Sequence, residues 1–259
     1  MVDDAGTYLY AVASDVAVPC PEGLKGVAGR DVRAIAQSGL VAYVSTVPLD
    51  QFGEEPLRRS MEDLDWLGAT AHAHHGVVEA VARLGPVAPV RLVTVYSGEE
   101  QVRRLLEERH DDFADTLARV AGRQEWGVKA YVVKTEPAPV APEPGGQEPA
   151  SPGTAYLKRR QASLRTREES WRDAGTRAER IHDVLRCVAV ASRRHRAQDP
   201  QLSGRDEWMV LNGAYLVDEE RAEEFARTLD DLRGQGIELE LTGPWAPYSF
   251  TVLEEGGPR

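Results

Sequence analysis

Residues 126–134 read WGVKAYVVK, and this stretch decides how the second half of the chain is organised. Val128, Ala130 and Val132 alternate with Lys129, Tyr131 and Val133, the period of two that sends successive side chains to opposite faces of a sheet. Beyond this strand, Glu136 to Gly153 holds nine Pro or Gly in eighteen residues. Such a composition cannot bury enough surface to offset its ordering entropy, and it predicts an extended, mobile loop. Tyr156 to about Arg186 then reads as one long helix. Leu157, Leu164, Trp171, Ala178 and Leu185 recur at seven-residue steps, with Ala174, Ile181 and Val188 as a second row beside them. This narrow stripe either covers a sheet or forms a coiled-coil seam.

Cys187 to Arg196 reads as a further strand with some helical character, and Glu207 to Val217 (EWMVLNGAYLV) as another, kinked at Asn212-Gly213. Asp218 is placed to cap a helix running to Arg233, which Gly234-Gln235-Gly236 ends through a left-handed glycine. Ile237 to Leu241 (IELEL) alternates as the last strand, interrupted by Gly243-Pro244. The order from Trp126 is therefore β-α-β-β-α-β, the ferredoxin-like arrangement of an antiparallel sheet with two helices on one face. Residues 125–259 are expected to form that domain, with 136–153 as a Pro-rich insertion after its first strand.

Residues 1–124 read as a second α+β domain. Thr7 to Ala13 (TYLYAVA) and Leu40 to Val44 (LVAYV) are strands by aromatic and β-branched content. PCPEGLKGVAGRD, from Pro19, is a loop, and Leu49 to Pro56 is irregular by its Gly and Pro. A helix follows from about Arg58, with Leu57, Met61, Leu64, Leu67, Ala71, His75, Val78 and Ala82 as its apolar row. Gly85-Pro86 stops it. Val87 to Tyr96 (VAPVRLVTVY) is the best strand of this half. Ser97, with Glu100 three residues on, predicts a capping box for a helix to about Ala121.

The 259 residues carry a net charge of −11 with 42% hydrophobic and 28% charged side chains. No apolar run approaches the roughly 20 residues that span a bilayer, and MVDDAGTYLY lacks the basic and apolar regions of a secretory signal. A cytosolic protein without a membrane segment is expected. Cys20 and Cys187 are too few for a disulfide framework and read as reduced thiols. The charge is uneven: Lys158 to Arg196 holds twelve Lys or Arg against five Asp or Glu. The acidic whole argues against nucleic-acid binding, while that basic stretch suits contact with an acidic surface.

No nucleophile elbow, P-loop or dinucleotide fingerprint is present. Gly23, Gly26 and Gly29 offer backbone amides in principle, but no strong strand leads into them and a turn is the simpler reading. His72, His75 and Glu79 fall one turn apart along a helix, with His74 beside them. Zinc spacing such as HExxH is missing, so packing and surface roles are expected, with no metal and no cofactor. Arg91 interrupts an apolar strand and must either point outward, pair with an acid, or meet a partner's carboxylate, because burying it unpaired is costly.

Leu241 to Thr251 reads LTGPWAPYSFT. Each proline removes a ladder donor, so the segment belongs at an edge or in a rigid loop. Trp245, Tyr248 and Phe250 on that backbone either close the sheet's open end or anchor a partner at low entropic cost. The run LTGPWAPYSF resembles the C-terminal signature of the GvpF/GvpL family of gas vesicle proteins. Further strings resemble the family's motifs in the same order: Tyr8-Leu9-Tyr10, Asp65-Trp66-Leu67 followed by His74, Pro89-Val90-Arg91 followed by Thr94, Gly127-Val128-Lys129, and Leu211 to Val217. Ala246 stands where a second proline is common in the family, and Gly213 where Ala is usual.

The resemblance implies a role in building gas vesicles, hollow shells walled by a small hydrophobic subunit, GvpA. It implies a minor component or assembly factor that binds GvpA and other accessory Gvp proteins, associated with the gas vesicle and not an enzyme. Trp245, Tyr248, Phe250 and Arg91 are the expected partner-binding residues. No nucleic acid, membrane or small-molecule substrate is expected. The alternative reading is a small-ligand-binding enzyme on a ferredoxin-like domain, which would need a deep pocket with convergent polar groups.

Overall fold

The protein was analysed as a computed structural model. The structure describes residues 5–14, 20–132, 171–197, 207–234 and 236–251. The Pro/Gly-rich stretch 136–153, and the expected helix before residue 171, lie outside the described residues. The fold is α+β, with two antiparallel sheets and, among the described residues, seven helices. Residues up to Trp126 group with those from Gly243 onward as one compact unit, and Gly127–Thr242 form the other. The sequence alone predicts a break after residue 124, with 125–259 as the second domain. In the structure the segment from Gly243 returns to the first unit.

The first sheet has the order β2-β3-β1-β4, with β5 also paired to β1. β1 is Ala5–Ser14, β2 Val32–Gln37, β3 Leu40–Pro48, β4 Val87–Pro89 and β5 Val95–Tyr96. Every residue of β1 from Gly6 to Ala13 is buried, because helices cover both faces. On one side Leu9 and Val12 join Val102 and Leu106 of α4 (Glu99–Glu108) and Phe113 and Leu117 of α5 (His110–Val120). On the other, Tyr8, Tyr10, Ala11 and Ala13 meet Phe52 of α1 (Leu49–Phe52) and Val77, Val78 and Val81 of α3 (Leu64–Ala82). Tyr10 and Ala11 share a face because the β1–β3 register slips between Leu9 and Ala11. A bulge of this kind adds one residue to one strand and re-aims the side chains after it.

β2 was not expected from the sequence, yet its hairpin with β3 is a tight one. Gln37 pairs with Leu40 across Ser38-Gly39, both at positive φ (55° and 79°). Two-residue loops of that twist match the flanking strands. Leu49 to Pro56 is also more ordered than expected. α2 (Glu54–Ser60) begins just before Pro56, within the first turn, where a missing N–H costs nothing.

Three expected elements differ. The helix expected from Arg58 is two helices, broken at Met61–Asp63. Asp63 caps α3, accepting from Asp65 N at 3.0 Å and Trp66 N at 3.2 Å. The buried row of α3 is Thr70, His74, Val77, Val78 and Val81, not the row through Ala71 and His75, and Met61 and Leu64 are exposed. The expected strand Val87–Tyr96 breaks after Pro89. Val93 has φ 59°, and its N–H turns away from the ladder. Thr94 Oγ1 closes the turn on the Arg91 carbonyl at 2.8 Å. The expected single helix to Ala121 breaks at Arg109, and Gly98 is the N-cap residue of α4. Gln101, not Glu100, reaches back to the Ser97 amide, at 3.1 Å.

The second sheet has the order β7-β8-β6-β9: β6 is Arg123–Val132, β7 Ala191–Arg194, β8 Trp208–Asp218 and β9 Ile237–Trp245. α6 (171–188) buries Ala174, Ala178, Ile181, Leu185 and Val188, so its described part packs inward along one stripe. Residues 187–188, expected in a strand, finish this helix, and β7 begins at Ala191. α7 (Ala222–Asp231) buries Phe225 and Leu229 and ends before Gly234, whose φ is 101°. The Tyr215 ring lies back over Gly213, whose lack of a side chain makes room for it, and its hydroxyl is 2.9 Å from His182 Nδ1.

The glycine run of the first loop also has a packing role. Val27 N donates to the Tyr10 hydroxyl at 2.9 Å, and a Cβ on Gly26 would collide with that hydroxyl. Gly26→Ala is expected to lower unfolding free energy by about 2–3 kcal/mol, the cost of overpacking a fixed core ring. Gly23→Ala meets no neighbour and should cost about 1 kcal/mol, for its positive φ alone. Urea denaturation of the two variants tests the difference.

Candidate interaction site

The C-terminal segment is built into the first unit by a lock of hydrogen bonds. β9 carries Gly243-Pro244-Trp245 at its end, and Tyr248–Phe250 form a short 3-10 turn. Ala246 is buried in the core beneath α3, with Tyr248 packed against it. Glu125, at the start of β6, is buried and accepts twice from one residue: Ser249 N donates to Oε2 at 2.8 Å and Ser249 Oγ to Oε1 at 2.6 Å. Donors to a charged acceptor make the stronger hydrogen bonds, and a buried carboxylate requires them. Thr251 Oγ1 donates to the Pro89 carbonyl at 3.0 Å.

Beneath the segment, α3 presents His74 and His75. His74 is 3% exposed. The Tyr8 hydroxyl accepts from Val93 N at 2.9 Å and lies 3.0 Å from His74 Nδ1. The phenol oxygen thus receives the amide proton, and a second hydrogen bond joins it to His74 Nδ1. Burial pulls the His74 pKa down to about 4, against a smaller opposing contribution from the Val90 backbone. No hydrogen bond closes on its Nε2, nor on the buried Tyr248 hydroxyl. Burial pushes the Tyr8 and Tyr248 hydroxyls well above the ordinary phenol range.

Tyr248 lies with its ring centroid 6.2 Å from those of both His74 and His75. Trp245 meets His75 edge-on at 5.4 Å. Further along the helix, His75 Nε2 is 3.5 Å from Glu79, which also faces Arg83 at 3.6 Å. Of the residues expected to bind a partner, Tyr248 and Phe250 are half-buried and Trp245 is 42% exposed. Trp245 and Tyr248 come together on the His74–His75 turn. Arg91 is exposed on the excursion between β4 and β5.

The expected cluster of His72, His75 and Glu79 is split from His74, which faces the core while His72 faces out. Among the described residues no three His, Cys, Asp or Glu are grouped to hold a metal. A groove of about 340 Å³ in the first unit is lined by Leu40, Pro86, Leu117 and Ala118, with Ser14 and His110 as its polar members. No helix among the described residues is long and apolar enough to cross a membrane.

Sequence reasoning missed Glu125, Ser249, Tyr8 and His74 as the parts of the lock. His74 had a signal: it falls at helical steps between Thr70 and the buried Val77, Val78 and Val81. Glu125 had none, since one carboxylate among 42 acids carries no mark of its partner.

These features define a two-sheet α+β protein whose last segment is fastened back onto a helix of its first unit. The family model described as gas vesicle synthesis protein GvpL/GvpF matches residues 6–252, and the chain belongs to that family. It is 41% identical to gas vesicle protein L of a Streptomyces species, over 98% of this chain and 96% of that one. Gas vesicle protein F of the same strain is 27% identical, over 94% and 98%. The fold is similar to the crystal structure of the gas vesicle protein GvpF from an Anabaena species. There the TM-score is 0.63 at 19% identity, covering 98% of this chain and 99% of that one.

Two outcomes test the lock. An unfolded His74 titrates near 6.5 and the buried ring near 4. Between those values the unfolded chain binds more protons, so stability falls as pH falls through that window. The loss attributable to His74 is about 3 kcal/mol by pH 4, and His74→Gln should remove it, as read by denaturation at each pH. Ser249→Ala removes one donor from buried Glu125 and should cost about 1–3 kcal/mol. Hydrogen exchange should then rise first at residues 245–251.

Proposed function

We propose that this protein is a gas vesicle accessory protein that binds the shell subunit GvpA and other Gvp proteins during assembly, as a minor component or assembly factor. It acts by binding and not by turnover, and it works at the gas vesicle. The observation that carries the reading is the family match across 6–252, joined to the exposed Trp245 on a segment fastened at Ser249 and Thr251. A hydrophobic shell subunit needs its apolar surface held until it joins the wall. An aromatic on a pre-ordered backbone can do this with little loss of conformational entropy. Trp245 is the expected anchor, with Tyr248 and Phe250 on the same segment and Arg91 as a polar contact. The higher identity to protein L than to protein F of the same strain supports an L-type member.

The same reading takes the second unit, Gly127–Thr242, as the ferredoxin-like domain that the sequence bounded at 125–259, with the Pro-rich stretch 136–153 as its insertion. The sheet order β9-β6-β8-β7 supports it, since it places the last strand beside the first and the third beside the second. The enzyme alternative gains no support from the 340 Å³ groove, whose one titratable ring, His110, is already paired with Asp111 at 2.9 Å.

Co-expression with GvpA followed by affinity capture tests the proposal. The full chain is expected to retain GvpA, and Trp245→Ala to weaken retention roughly tenfold or more, as for a central aromatic anchor, with its melting temperature unchanged. No retention by the full chain rejects the function. Equal retention by the variant rejects the site.

A further inference from the structure

The first sheet ends in two edges of unequal length. At one, β4 and β5 are three and two residues long, and the Val93 excursion separates them. The other is β2, six residues long and reading VRAIAQ. An edge strand of this length presents a row of backbone groups on which another strand can pair. In an antiparallel pair, alternate residues exchange both backbone bonds with their neighbour strand, and the residues between them turn theirs to the far side. Gln37 faces Leu40 across the two-residue turn, so Gln37, Ile35 and Arg33 spend their groups on β3. Val32, Ala34 and Ala36 therefore point theirs away from it.

The outward groups are taken up from both ends. Val32 N donates to the Leu24 carbonyl at 3.0 Å, and the Cys20 thiol donates to the Val32 carbonyl at 3.3 Å. At the other end, Arg103 Nη1 of α4 donates to the Ala36 carbonyl at 2.9 Å. Glu99 lies 3.7 Å from that guanidinium and pairs with Arg33 of β2 at 2.9 Å, which ties the arginine to the edge. Among the described residues, this leaves open both groups of Ala34 and the amide of Ala36, and both alanines are exposed.

We infer that Arg103 is a guard that keeps β2 from pairing with β2 of a second copy. Two such edges fit antiparallel, with Ala34 of each opposite Ala36 of the other. Each Ala36 amide then donates to an Ala34 carbonyl and each Ala34 amide to an Ala36 carbonyl, but Arg103 already occupies that second acceptor. With Arg103 removed, this one register satisfies every open group on both strands. The same patch meets itself across a two-fold axis, which commits the edge to its own copy. The inference uses no residue of the C-terminal segment and does not rest on GvpA binding.

Sedimentation velocity of the full chain over a concentration series, wild type against Arg103→Ala, tests it. The variant is expected to self-associate roughly tenfold or more tightly than wild type, the yield of two further hydrogen bonds. Charge predicts the opposite, because losing an arginine makes a chain of net charge −11 more acidic and more self-repelling. Adding Ala34→Pro should return the variant to the wild-type level. The proline removes the Ala34 N–H, which makes no bond to β3, and proline is accepted on sheet edges. Association through unfolded chains would survive that second change. Hydrogen exchange locates the contact: in Arg103→Ala, protection at residues 34–36 should rise with protein concentration. Association no tighter in Arg103→Ala than in wild type overturns the inference. So does association that the proline leaves unchanged, or protection that rises elsewhere and not at 34–36.

Discussion

Two phenol hydroxyls have to be satisfied inside a strand that is buried on both faces, and much of the first unit follows from that constraint. β1 has no solvent side on which to put a polar group. An unpartnered Tyr hydroxyl there would cost about 1–3 kcal/mol. Tyr10 accepts from Val27 N and donates to Ser45 Oγ at 2.9 Å, and Ser45 passes its own proton to the Asp31 carbonyl. Tyr8 accepts from Val93 N and is hydrogen-bonded to His74 Nδ1. Each phenol therefore caps a backbone amide that a loop has left without a ladder partner. The Gly26 turn and the Val93 excursion are shaped to bring those amides in.

The constraint passes from Tyr8 to the C-terminus. Because a hydrogen bond with Tyr8 holds the His74 ring in place, the turn of α3 that carries His74 and His75 offers an aromatic floor to Tyr248 and Trp245. The fastening itself is polar and sits on either side of Tyr248's ring contacts, at Ser249 on Glu125 and at Thr251 on the Pro89 carbonyl. Two buried atoms oppose it, His74 Nε2 and the Tyr248 hydroxyl, since neither forms a hydrogen bond. The balance favours the closed arrangement while His74 is neutral. Pre-ordering of this kind removes the entropy that a loose aromatic would lose on meeting a partner.

What the sequence revealed and what it hid divide along the line between local and tertiary causes. The strands at Thr7–Ala13 and Trp126–Val132 and the helix C-terminus at Gly234 were legible because alternation and glycine chemistry are local. The β2 hairpin was legible in principle from Ser38-Gly39 between two alternating runs, but the flanking glycine loop obscured it. The break in Val87–Tyr96 was not legible, because apolar β-branched residues favour a continuous strand. Only the distant Tyr8 hydroxyl rewards turning Val93 N out of it. The helical row was off by one position for a related reason. His75 and His74 are equal as residue types, and the buried one is decided by which can reach Tyr8.

The strings on which the family resemblance rests are scattered over more than two hundred residues, yet several of them meet in this one network. Tyr8 and His74 form its centre. The Thr94 carbonyl takes the Leu9 amide at 2.9 Å while Thr94 Oγ1 shapes the Val93 turn. Pro89 receives Thr251, and the GPWAPYSF run supplies Trp245, Tyr248 and Ser249. Periodicity places Tyr8 on a strand and His74 on a helix, but it has no account of their meeting or of the residues that join them. Their common role is to fasten the end of the chain to its beginning. A run that reads as a surface motif in isolation is thus, for Tyr248 and Ser249, interior structure. Within it, Trp245 meets His75 edge-on and keeps the larger exposed face.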